Sequence, residues 1–234
     1  MLMNVRDRRK GKRSRNENAW DKACFGSIEA TFSGVSCRGL YTGNFVRFGH
    51  FKQGKDDNQG AAPVEWLVLE KRWDEVLLIS RHSLAGRRFH DKPEPISWAG
   101  SGLRAWLNHE FLNTAFSAEE RRAIRIFSHE DDFFGEVRTV SDYIFCLSIS
   151  EACRYFRDDE SRQCLPTEYA RLCYGTEIWM LRSPGAFPDQ VATVNSDGSV
   201  YSYGWNASEH FSVRPALWLS LRIPDNSEAR TISS

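Results

Sequence analysis

Gln190-Val-Ala-Thr-Val-Asn-Ser-Asp-Gly-Ser-Val-Tyr-Ser-Tyr-Gly-Trp205 sets two strand-forming runs on either side of Asp197-Gly198. An Asp-Gly pair between such runs is a strong local hairpin signal, because both turn positions tolerate positive φ. The stretch therefore predicts strands over 190–195 and 200–205. Working outward, 177–182 and 213–219 are apolar runs too short for helices, and they read as further strands. Toward the N-terminus, Val46, Phe48 and Phe51 mark a strand, and the runs 66–69 and 76–79 flank residues 71–75 as another hairpin. Residues 143–147 read as one more strand.

Helix signals occupy the middle of the chain. Ser101 caps a helix whose Leu103, Trp106, Leu107 and Phe111 recur at three- and four-residue steps, so they share one apolar face. Ser117-Ala-Glu-Glu120 and Ser148-Ile-Ser-Glu151 are capping boxes that open two more short helices. Residues 167–173 form a last helical segment, stopped by Gly175. Residues 84–100, which carry Pro93 and Pro95, are expected to be loop, and the acidic stretch 128–142 is expected to be irregular. Strands, then helices, then strands predict an α+β domain with a twisted, mainly antiparallel sheet that joins both halves of the chain, flanked by short helices and long loops. The expected organisation is a basic disordered tail over 1–22, one domain over 23–221 and a polar tail over 222–234.

Composition supports a packed core: of 234 residues, 41% are hydrophobic and 26% charged. No apolar stretch approaches the ~20 residues that span a bilayer, and no apolar segment follows the basic start, so a cytoplasmic protein is expected. The formal charge is zero, with 31 basic and 31 acidic side chains. Seven of the basic ones fall between Val5 and Arg15, which leaves the rest of the chain with 24 basic against 30 acidic. Nucleic acid is therefore expected to bind only weakly, through the tail. The six Cys (24, 37, 146, 153, 164, 173) include no CxxC pair, and reduced thiols are expected.

A set of motifs then runs in order along the chain. It comprises Val64-Glu-Trp-Leu-Val-Leu-Glu70, Leu77-Leu-Ile-Ser80, Ser97-Trp98, Leu103-Arg-Ala-Trp-Leu-Asn108 and Phe111-Leu-Asn-Thr-Ala-Phe116. Leu147-Ser-Ile-Ser-Glu-Ala152, Trp179-Met-Leu-Arg-Ser-Pro-Gly185 and Val213-Arg-Pro-Ala-Leu-Trp218 complete it. This succession, over roughly residues 45–221, resembles a bacterial family known as domain of unknown function 6273. Met180 stands where that family carries a second Trp. More loosely, the W-x-L-R-S strand, the hairpin and the closing V-R-P strand look like the C-terminal half of C-type-lectin-like domains, a group that includes formylglycine-generating-enzyme-like proteins. The likeness implies a compact twisted sheet with long loops, and a shared fold fixes no function.

An enzyme of the formylglycine-generating or sulfoxide-synthase kind needs a thiol pair or a His cluster. Cys164 and Cys173 are the candidate thiols, and the six His (50, 82, 90, 109, 129, 210) contain no H-x-x-x-H pair. Asp131-Asp132, beside Glu130 and His129, offer oxygen ligands to Ca²⁺ or form a solvated acidic loop. Arg182 and Arg214 each interrupt an apolar strand. There a guanidinium must pair with a carboxylate or with carbonyls, or else floor an anion-binding cleft. Tyr201-Ser-Tyr-Gly-Trp-Asn-Ala-Ser208 mixes the rings, hydroxyls and amides of an adaptable recognition loop. The expected site is thus a ligand-binding set of Arg182, Tyr201, Tyr203, Trp205, Asn206, His210 and Arg214, with no catalytic residue, metal or cofactor. The reading is a non-catalytic recognition module for a protein, small-molecule or glycan ligand, with no membrane partner. The alternatives are the metalloenzyme above and a diversified display protein of a diversity-generating retroelement.

Overall fold

The Asp197-Gly198 turn forms. Gly198 has φ +86° and donates its N–H to Asn195 O at 2.9 Å, and the Asn195 N–H donates to Ser199 O at 2.9 Å. The structure is a computed structural model and describes residues 28–29, 40–55 and 60–222. The two expected tails lie outside the described residues, apart from Arg222, as do Cys24 and Cys37.

In chain order the strands are β1 Ile28–Glu29, β2 Phe45–Lys52, β3 Ala61–Lys71, β4 Glu75–Ser80 and β5 Ala85–Arg88, then β6 Ile124–Arg125, β7 Phe127–Phe133 and β8 Glu136–Asp142. Five more close the chain: β9 Trp179–Pro184, β10 Gln190–Val194, β11 Val200–Asn206, β12 His210–Val213 and β13 Ala216–Ser220. The helices are α1 Gly102–Trp106, α2 Leu112–Ala115, α3 Ala118–Ala123, α4 Ile149–Tyr155, α5 Asp159–Arg162 and α6 Glu168–Leu172; a π-helical turn, Leu107–Phe111, joins α1 to α2. One sheet runs β1-β2-β3-β4-β13-β6, a second β11-β10-β9-β12-β5, and β7-β8 stand as a hairpin. Among the described strands only β1–β2 and β12–β9 pair in parallel, so this is an α+β architecture with mostly antiparallel sheets.

Each large sheet joins strands from both halves of the chain, but there are two sheets where one was expected. The run 213–219 divides between them. Val213 ends β12 in one sheet and Ala216 begins β13 in the other, because Pro215 has no N–H to continue a ladder. Three further expectations are corrected. The 84–100 loop contains β5, whose sequence Ala-Gly-Arg-Arg gives no apolar signal. Gly86 packs so closely there that a Cβ would stand 2.2 Å from Cys173 O. Residues 143–147 form only a bridge, Phe145 to Ala216, since the side-chain Oδ1 of Asn108 takes the N–H groups of Tyr143 and Ile144. The acidic stretch 128–142 is the β7–β8 hairpin, turning at Phe134 (φ 52°) and Gly135 (φ 88°).

That hairpin has a weak strand signal because, apart from Val140, its buried residues are polar. His129, Asp131 and Asp142 are buried where a strand usually sends apolar side chains. Asp142, with no exposed side-chain surface, accepts from Trp98 Nε1 (2.8 Å), His129 Nε2 (3.0 Å), Arg104 Nε (2.7 Å) and Asn108 Nδ2 (3.2 Å). Asp131 accepts from the Ala99 N–H at 2.8 Å. The carboxylates thus tie the hairpin to the start of α1.

The helix ends follow the sequence. Ser101 accepts from the Arg104 N–H, and both Ser117–Glu120 and Ser148–Glu151 close their capping boxes. The apolar face of α1 meets the first sheet through Trp106, whose ring lies 6.5 Å from Phe51 of β2 and 5.3 Å from Phe111 of the π-helical turn that follows. Trp66, fully buried, donates its indole N–H to Phe48 O at 2.7 Å.

Several buried groups make stability pH-dependent. Burial alone would raise the carboxyls of Asp142 and Glu151. Hydrogen bonds from His129 and Trp98 in the first case, and from Arg182 in the second, hold both below their usual range. The stability they contribute is therefore present above about pH 4.5 and is lost as pH falls through their folded-state values. His82 is held low by burial and by Arg81, so a smaller loss begins as pH drops below about 6.5. Urea midpoints should fall slightly between about pH 6.5 and 4.5 and steeply below about 4.5. Equal midpoints at pH 7 and 3.5 would contradict this assignment.

Candidate functional site

Tyr201, Tyr203 and Trp205 lie on β11, an edge strand of the five-stranded sheet. Four residues of regular strand would separate the first and last by ~13 Å. Their rings are 5.4 Å apart instead, and the Tyr201–Tyr203 rings are 6.3 Å apart. The cause is a bulge: the register with β10 shifts between Val191/Trp205 and Thr193/Tyr201. Gly204 makes it possible, with φ +84° and a position where a Cβ would stand 2.7 Å from Val191 O and 2.8 Å from Gly185 Cα. Only a glycine fits both that backbone conformation and that gap.

Phe187 extends the group from the β9–β10 loop, with its ring 5.8 Å from Tyr203, and Trp205 touches Phe211 at 6.1 Å. Phe187, Tyr203 and Trp205 are 50%, 53% and 40% exposed. The result is an aromatic platform on a firmly held strand, since Val191, Ala192 and Val194 of the neighbouring β10 are fully buried. Asn206 caps the strand end: its side-chain oxygen accepts from Ser208 N–H (2.9 Å) and Oγ–H (2.7 Å), and its Nδ2 reaches Asp189 at 3.4 Å.

The other expected site residues lie elsewhere. Arg182 is buried in β9. It forms a bidentate ion pair with Glu151, Nη2 to Oε1 at 2.8 Å and Nη1 to Oε2, and Nη1 also donates to Cys146 O at 2.9 Å. Arg214 is buried between β12 and β13 and donates to Ser80 O (2.9 Å) and Arg162 O (3.3 Å). The rings of Phe156 and Trp179 each lie 5.2 Å from its guanidinium. The polar bonds of both arginines are therefore made within the fold. His210 faces away from the platform, against Tyr174 at 5.1 Å and a cavity beside β5. No sequence signal points to that cavity, because Ala-Gly-Arg-Arg of β5 lacks a strand's apolar alternation.

The acidic quartet does not converge. His129 turns to Asp142 and Asp131 to Ala99, while Asp132 accepts from the Gly135 N–H at 3.0 Å. Cys146, Cys153, Cys164 and Cys173 are free thiols, and burial pushes the Cys146 thiol up to about 12. No described helix is long and apolar enough to cross a membrane.

A family model described as "Domain of unknown function (DUF6273)" matches residues 74–221, more than half of the chain. The matched segment begins in the β3–β4 turn, so β2 and β3 precede it although they share a sheet with β4 and β13. No curated protein and no solved structure matches the chain.

Proposed function

The chain belongs to the DUF6273 family, and from that premise we propose that it is a non-catalytic recognition module binding a glycan on the aromatic platform of β11. The observation that carries this reading is the gathering of exposed Tyr203, Trp205 and Phe187 with half-buried Tyr201 by the Gly204 bulge. Exposed rings that touch one another on a rigid strand offer a large apolar surface at little entropic cost. Two Tyr hydroxyls, an indole N–H and the Asn206–Asp189 pair border it. A sugar asks for that combination of apolar ring face and hydrogen-bonding rim, whereas the core of a protein interface is poorer in such polar groups.

We carry the C-type-lectin-like likeness into the same proposal. The order of β9, the β10–β11 hairpin and a closing β13 supports it. A cytoplasmic setting is likewise proposed, and the four described free thiols favour a reducing compartment.

Binding of the full chain to an array of oligosaccharides, followed by titration of any retained, tests the reading. The Tyr203→Ala/Trp205→Ala double variant should lose about 30-fold in affinity, the worth of one or two aromatic anchors, while its melting transition stays in place. Gly204→Ala should weaken binding too, with about 1–3 kcal/mol of backbone strain. An array that stays blank, or a double variant that binds as well as the parent, overturns the proposal. Collapse of the double variant's fold would assign these rings to the core.

A further inference from the structure

β5 ends the five-stranded sheet and carries Arg87 and Arg88 in succession. Its ladder with β12 sets His210 opposite Arg88 and Phe211 opposite Arg87. Beyond β5, the His90 N–H donates to Ala207 O (2.9 Å) and the Leu103 N–H to Phe89 O (3.0 Å). These bonds fix the chain against the β11–β12 loop and the start of α1. Between them lies a cavity of about 240 Å³ whose polar wall is Arg87, Arg88, His90, Asp91 and His210. Gly86 and Gly102 complete the lining.

The charge on this wall is unbalanced. One carboxylate, Asp91, shares it with two guanidiniums and two imidazoles. Among the described residues neither Arg87 nor Arg88 makes an ion pair, and Arg87 instead lies 4.4 Å over the ring of Trp106. His90 Nε2 sits 3.1 Å from Glu94 Oε1, which orients the ring and leaves Nδ1 buried without a hydrogen-bond partner. With Nε2–H given to Glu94, Nδ1 of the neutral ring is an acceptor, and its unpaired burial costs free energy that a hydroxyl on the bound ligand would offset.

We propose that this cavity is a binding site for a dianion of the phosphate-monoester class, gripped by Arg87 and Arg88 and completed by His90 and His210. Guanidinium groups match phosphate oxygens, and four converging cationic or imidazole groups exceed what a planar carboxylate uses. The volume falls below the ~300–1,000 Å³ of drug-sized pockets, which suits an oxyanion carrying few further atoms. Burial and the charges of Arg88 and Arg87 hold His210 below its ordinary value, and Asp91 opposes them. Tyr174 covers its other face. A dianion in the cavity reverses the local field and draws a proton onto the imidazole, so binding takes up protons and tightens as pH falls.

Calorimetric titration of the full chain tests this with inorganic phosphate, glycerol 3-phosphate and sulfate, and with vesicles containing phosphatidate as a separate arm. Both soluble phosphates should bind below about 1 mM, and Arg88→Gln and His210→Gln should each weaken them about tenfold without moving the melting transition. Sulfate, whose charge is constant from pH 8 to 6, should bind at least about threefold tighter at pH 6, and His210→Gln should reduce that gain. Tyr203→Ala/Trp205→Ala should leave these affinities unchanged, which separates this site from the platform. Absence of heat with soluble anions, undiminished affinity in both cavity variants, equal loss in the platform variant, or binding to the vesicles alone would each overturn the proposal.

Discussion

Asp142→Ala is expected to cost about 3–5 kcal/mol of unfolding free energy, the range for removing one partner of a buried charge pair. Four donors converge on this carboxylate, one each from Trp98, His129, Arg104 and Asn108. Asn108 and Arg104 keep carbonyl partners, Asn108 at Ile144 O and Arg104 at Ala99 O and Ser141 O. The indole of Trp98 and Nε2 of His129 keep none among the described residues, and both side chains are buried. Stranding them removes hydrogen bonds and leaves desolvated donors behind, the expensive half of the bargain. Asp142→Asn retains one acceptor oxygen and should cost roughly half as much. Urea unfolding measures both. A loss under about 1 kcal/mol for the alanine variant would mean that the β7–β8 hairpin is not anchored through this residue.

The same cluster shows why part of the fold was legible in the sequence and part was not. Where apolar residues face the core, as in Val76–Ile79 or Leu103–Phe111, period and caps located the elements directly. Asp197-Gly198 did the same for the β10–β11 hairpin. The β7–β8 hairpin sends His129, Asp131 and Asp142 inward, and polar residues become acceptable there only because donors from a distant segment meet them. A sequence shows the charges and not the partners. The platform was readable as composition, since Tyr, Ser, Gly and Trp crowd one segment. Its geometry was not, because a two-residue register shift and a positive φ at Gly204 bring the rings together. β5 was invisible for a third reason: its Gly86 is chosen for close packing against the backbone near Cys173, so the strand lacks any alternation of its own.

Arg214→Ala is expected to cost about 3–5 kcal/mol, from an emptied volume and lost hydrogen bonds together. Its guanidinium is buried and makes no ion pair among the described residues, and burial holds its pKa below the ordinary arginine value. Ser80 O and the aromatic faces of Phe156 and Trp179 stand in for a carboxylate. Arg162 O accepts from Arg214 at 3.3 Å and from the Trp179 indole at 3.1 Å, so removal of the guanidinium does not orphan it. Volume and ring contact should therefore outweigh charge. Arg214→Met fills the same space, keeps the contacts with both rings and removes the desolvation penalty, so it should cost less than about 2 kcal/mol. Arg214→Lys keeps a charge but loses the flat fork that stacks and bonds at once, and it should fall between the two. Urea unfolding of the three variants gives the order. If methionine proves as damaging as alanine, the carbonyl hydrogen bonds hold this junction of β12, β13 and α5, and the packing account fails.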